Sequence, residues 1–67
     1  MRVVHLTVMV VGGHWTLKIH DGAKFHIAGS SLNRETVVAL AHRLSADFIA
    51  RGDRPVVIVD REEKIAA

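Results

Sequence analysis

A diglycine, Gly12-Gly13, separates the apolar run "VVHLTVMVV" from the alternating stretch "HWTLKIH", and it constrains the fold more than any other feature of the chain. Two adjacent residues that reach positive φ without strain close a two-residue hairpin whose twist matches the strands on either side. Such a turn puts His5 opposite His20, Thr7 opposite Lys18 and Met9 opposite Thr16. On strand 2, Trp15, Leu17 and Ile19 share one face, and His14, Thr16, Lys18 and His20 share the other. Strand 1, from about Arg2 to Val11, is apolar at nearly every position. That pattern fits a strand in the middle of a sheet. A secretory-signal reading of the same letters fails, because His5 and Thr7 interrupt the run and no small-x-small cleavage site follows. The run is also far too short to span a bilayer, so a soluble, cytoplasmic protein with no membrane partner is expected.

A second turn at "DG" leads into strand 3, "KFHIA". A two-residue turn there would put Phe25 beside Lys18 and mix the two faces. A three-residue loop, Asp21-Gly22-Ala23, pairs Lys18 with His26 and His20 with Lys24 and keeps Phe25 and Ile27 beneath the helix. The helix begins after Asn33, a good N-cap, with Leu32 placed to staple against Val37. Val37, Leu40, Ala41, Leu44 and Phe48 form its apolar stripe, with Val38 and Ile49 on the margin. Asp47 and Arg51 are spaced as an exposed ion pair. Gly52 and Pro55 end the helix, "PVVIVD" is a fourth strand, and the polar tail "REEKIAA" follows. A strand–helix–strand crossover is right-handed and joins parallel strands. The expected architecture is therefore an α+β domain over residues 1–67, βββαβ, with sheet order 3-2-1-4 and one helix on one face.

Size raises the question of what completes the core. A chain of 67 residues buries only about 60% of the surface its unfolded form exposes. Disulfides and thiolate metal sites are excluded by the absence of cysteine, which leaves a histidine-bound metal or a partner chain. The pI is near 9.7, yet the formal charge is only +2, so the position of the charges matters more than their sum.

The sheet face away from the helix divides in two. Val3, Met9 and Val11, with either Val57 and Val59 or Val56 and Ile58, form an apolar half; Val3, Met9, Val11, Val57 and Val59 are taken as the protein-interaction set. A contiguous apolar patch on a small domain marks an interaction site, and a second copy of the chain is the expected occupant. The other half carries His5, Lys18, His20, Lys24 and His26, the set for the alternative function, a sequence-tolerant nucleic-acid contact. Against that alternative, single-strand binders present aromatic platforms, and here Trp15 and Phe25 are expected to point inward. Nothing among the five histidines has the close spacing of a zinc motif, so no metal is expected. Ser30 and Ser31 are not in a nucleophile elbow, and "VGGHW" is no cofactor fingerprint. No catalysis and no cofactor are expected.

"GGHWTLK", "ETVVALAHRLSA" and "PVVIVDREEKI" together resemble the DUF2188 family of small bacterial and phage proteins of unknown function. The resemblance implies a strand-rich α+β fold with one helix and carries no catalytic residue across. That family closes with Asp-x-x-Gly-(Arg/Lys)-Ile, whereas Glu63 stands here at the glycine position, against a tight final hairpin. The expected function is a small non-enzymatic, homodimeric interaction module, of which a phage or mobile-element inhibitor or adaptor is one instance.

Overall fold

The computed structural model describes residues 2–59, so the polar tail and the question of a final hairpin lie outside the described residues. The elements are β1 (Val3–Val11), β2 (His14–Asp21), β3 (Lys24–Ser31), α1 (Arg34–Ala50) and β4 (Arg54–Val59). They form a sheet of order β3-β2-β1-β4, with β4 parallel to β1 and the other neighbours antiparallel. β4 is thus also parallel to β3, as expected for strands joined through a helix.

Gly12 and Gly13 both have positive φ, 59° and 80°. That is the pattern of a type I′ turn, and His5↔His20, Thr7↔Lys18 and Met9↔Thr16 pair as the diglycine requires. The core lies where the two central strands face the helix. Val4, Leu6, Val8, Trp15, Leu17 and Ile19 meet Val37 and Ala41 of α1, with Leu40, Leu44 and Phe48 partly buried beside them. Asn33 caps the helix by accepting the Glu35 amide at 2.9 Å. At the other end Asp53 N–H donates to Phe48 C=O and Gly52 N–H to Ile49 C=O. With Gly52 at φ 88°, this is a Schellman ending.

Three local expectations are corrected. Leu32 is 77% exposed and does not staple onto Val37. Arg51 lays its guanidinium over the Phe48 ring, 5.5 Å from the centroid, instead of pairing with Asp47. The ion pairs among the described residues are those of Arg2 with Asp21 and Asp53.

The third correction reshapes the molecule. The second hairpin closes through two residues, Gly22 and Ala23, so that Asp21 pairs with Lys24, His20 with Phe25 and Lys18 with Ile27. Gly22 has φ 64° and Ala23, like every described non-glycine residue, does not have positive φ, the pattern of a type II′ turn. A bulge then interrupts the register between Lys18↔Ile27 and Leu17↔Gly29, leaving Ala28 as the extra residue. Phe25 and Ile27 consequently leave the helix side and point outward, 58% and 57% exposed. Behind the bulge Gly29 faces α1 so closely that a Cβ there would stand 2.8 Å from Leu40 Cδ2. Glycine at that position lets the helix approach the edge of the sheet.

Chemical denaturation separates the two registers. Leu17→Ala should cost about 2–5 kcal/mol through the cavity it leaves, while Phe25→Ala should stay within about 1 kcal/mol, as expected for an exposed ring. A Phe25→Ala cost equal to that of Leu17→Ala would return Phe25 to the core.

Candidate functional site

Strand alternation fixes which side chains the uncovered face displays. β1 contributes Val3, His5, Thr7, Met9 and Val11, since Val4, Leu6 and Val8 between them are fully buried. β2 contributes His14, Lys18 and His20, with Thr16 on the same side but buried, and β3 contributes Phe25, Ile27 and, beyond the bulge, Ser30. On β4, Val57 and Val59 lie level with Leu6 and Val8 and pack against the core. The expected outward pair Val57 and Val59 is thereby corrected to Val56 and Ile58, beside His5 and Thr7. Parallel pairing with β1 decides this, because neighbours in a ladder share a face.

The expected basic set is also redistributed. His5, Lys18 and His20 remain on the uncovered face, whereas Lys24 and His26 pair with Asp21 and Ile19 and so belong to the helix side. There His26 lines a hollow of about 500 Å³ between α1 and β3 together with Arg2, Asp21, Asp47 and Arg51. A neighbouring hollow of about 450 Å³ is lined by Ser30, Ser31, Thr36 and Arg43 around Leu40. Both exist because β3 turns small or polar residues toward the helix once Phe25 and Ile27 face out.

Across the uncovered face the rows read Phe25–His20–His5–Val56 and Ile27–Lys18–Thr7–Ile58. Apolar flanks on the two edge strands enclose a polar centre. The His20 and Phe25 rings stack with centroids 5.3 Å apart and planes inclined by 21°. Lys18 Nζ lies 5.5 Å from the centroid of the same Phe25 ring, within cation–π range.

The charged side chains on this face, Lys18 and Arg54, are both basic, and three histidines accompany them. Arg54, level with Val3, joins His5, His14, Lys18 and His20. The described carboxylates, Asp21, Glu35, Asp47 and Asp53, all lie elsewhere. Asp21 and Asp53 are held by Arg2 on the helix side, and Glu35 and Asp47 belong to α1. Among the described residues, no group of three or more side chains of metal-ligating type converges, and no helix is long and apolar enough to cross a membrane.

Phe25, Ile27 and Arg54 are the site residues the sequence reading leaves out, while Val56 and Ile58 are the second of its two alternatives for β4. The signal for the first two was present: Gly22-Ala23 is a Gly-X dipeptide, the composition of a type II′ hairpin.

No family model, curated protein or solved structure matches the chain. A functional reading therefore rests on the geometry of its own residues.

Trp15, the chain's single tryptophan, is 9% exposed, with the Arg34 guanidinium 5.7 Å from its ring centroid. Its fluorescence should be blue-shifted and weakly quenched by acrylamide in the folded chain. Emission and quenching equal to those of the denatured chain would overturn its inward placement.

Proposed function

We propose that this chain is a non-enzymatic docking module whose uncovered sheet face takes an acidic, apolar-bearing surface of another protein. One observation carries the reading: the face combines exposed aliphatic flanks with His5, His14, Lys18, His20 and Arg54 and has no described carboxylate. Apolar area of this kind gains by leaving water. Uncompensated bases select a partner of opposite sign and steer its approach.

Size sets the strength of the contact. Four strands about 4.8 Å apart and about 25 Å long present on the order of 500 Å² of projected area, the scale of a transient interface. Face-to-face association of two copies would set this cluster of bases against itself, which costs free energy. A partner with a complementary surface escapes that cost.

A second reading, nucleic-acid binding, is favoured by one feature: the Phe25–His20 stack beside Lys18 offers an outward ring next to a cation. Single-strand binders align several such platforms. The remaining apolar residues here are aliphatic and have no π-face, so the protein partner is preferred.

The test is a titration of isotopically labelled chain with an extended peptide alternating glutamate and valine, followed by amide chemical shifts. Shifts should concentrate at His5, Lys18, His20, Phe25 and Ile27 and weaken as salt is raised. Lys18→Glu should weaken binding about tenfold. Equal binding of the lysine–valine counterpart, or shifts confined to α1, would overturn the reading. Tighter binding of a single-stranded oligonucleotide at the same residues would transfer the face to nucleic acid.

A further inference from the structure

The two edges of the sheet are built differently. β3 is broken by the bulge at Ala28, contains Gly29, and carries Lys24, His26, Ser30 and Ser31. Bulges, glycine and lysine are the devices that keep an edge from pairing. β4, the other edge among the described residues, is paired in unbroken register with β1 and reads Arg-Pro-Val-Val-Ile-Val. Four consecutive β-branched residues follow Pro55, which blunts only the start of the strand. An unbulged aliphatic edge with no inward charge is a template for another strand.

The helix adds an independent observation. At 100° per residue, Thr36, Leu40, Arg43 and Asp47 fall on the flank that lines the hollows against β3. Val38, Ser45 and Ile49 fall on the opposite flank, toward β4. Ile49 is 62% exposed there, an aliphatic side chain directed to the side where β4 is the edge among the described residues.

We infer that two copies of this chain pair through antiparallel β4 edges, forming one continuous eight-stranded sheet with the Ile49 flanks of the two helices adjacent. Antiparallel pairing of a strand with its own copy is isologous, so it closes at two and needs no second surface. Arg54 N–H donates to Arg2 C=O of the neighbouring strand, so Pro55, Val57 and Val59 direct their backbone groups outward. With no N–H on Pro55, the pair gains about four inter-strand hydrogen bonds from groups left without a partner among the described residues. The two-fold axis runs perpendicular to the sheet. Both helices therefore lie on one side, and both basic faces lie together on the other. The bases are not brought into opposition, and the docking face is doubled. The inference stands apart from the identity of the docking partner, since it uses the edge and the helix flank instead of the uncovered face.

Light scattering on the full chain at about 100 µM should give twice the 7.4 kDa mass of one chain. Ile49→Glu, at an exposed position, should leave the circular dichroism spectrum unchanged and raise the dimer dissociation constant at least about tenfold. Ile27→Glu, on β3, should leave the mass doubled. In the unaltered chain, amide exchange of Val57 and Val59, whose N–H groups point away from β1, should slow as concentration rises. This second measurement decides the matter if Ile49→Glu fails to fold. A monomer with concentration-independent β4 exchange would overturn the inference. So would loss of the dimer in Ile27→Glu with retention in Ile49→Glu, which would mean face-to-face packing. A monomer that dimerises only after deletion of residues 60–67 would also overturn it, assigning the edge to the chain's own C-terminal segment.

Discussion

The burial of Val4, Leu6 and Val8 on the central strand is the constraint from which the other features follow. All three have no solvent exposure, and they are covered by Val37 and Ala41 above and flanked by Leu17 and Ile19 on β2. Because side chains alternate on a strand, fixing these three inward fixes Val3, His5, Thr7, Met9 and Val11 outward. Parallel pairing then carries the same alternation onto β4, where Val57 and Val59 join the core and Val56 and Ile58 do not. β4 is thus apolar on both faces, although only Val57 and Val59 pack against the core.

Elements set by strong local chemistry were legible in the sequence. The diglycine gives the first hairpin its register, Asn33 and Gly52 bound the helix, and the crossover rule sets β4 parallel to β3. The second hairpin shows where such reading stops. Alternation in "KFHIA" argued for placing Phe25 and Ile27 inward, while the Gly22-Ala23 dipeptide argued for a two-residue turn that places them outward. Turn chemistry prevailed. A hairpin's register is set by the residues nearest its turn, and β3 is an edge strand whose burial earns too little to oppose that register. The bulge at Ala28 is the compromise: it resets the alternation so that Gly29 meets Leu40.

The candidate face changed character with that single turn. Had Phe25 and Ile27 faced α1, the uncovered side would split into an apolar half and a histidine–lysine half. Instead Lys24 and His26 leave it, Phe25 and Ile27 enter it, and apolar residues border a basic centre from both edges. Composition could not reveal this, since a charge near +2 is compatible with bases dispersed over the surface. Segregation appears only once alternation along β2 puts Asp21 on the helix side, where Arg2 pairs with both Asp21 and Asp53. On that segregation rests the proposed preference for an acidic partner.

Selectivity of that kind bears on how so small a domain reaches adequate stability. A face of unopposed bases favours a complementary partner over its own copy, so the face is an inefficient place to gain stability from self-association. An edge has no such conflict. Pairing β4 with its copy extends the sheet in its own plane, joins the exposed Ile49 flanks and leaves His5, Lys18 and His20 accessible. The two proposals divide the surface between them: the inferred dimer would draw its stability from hydrogen bonds and aliphatic contacts at the edge, and the basic face would be left to discriminate among partners. A bulged, lysine-bearing β3 at the opposite edge keeps the same logic from running on into an open filament.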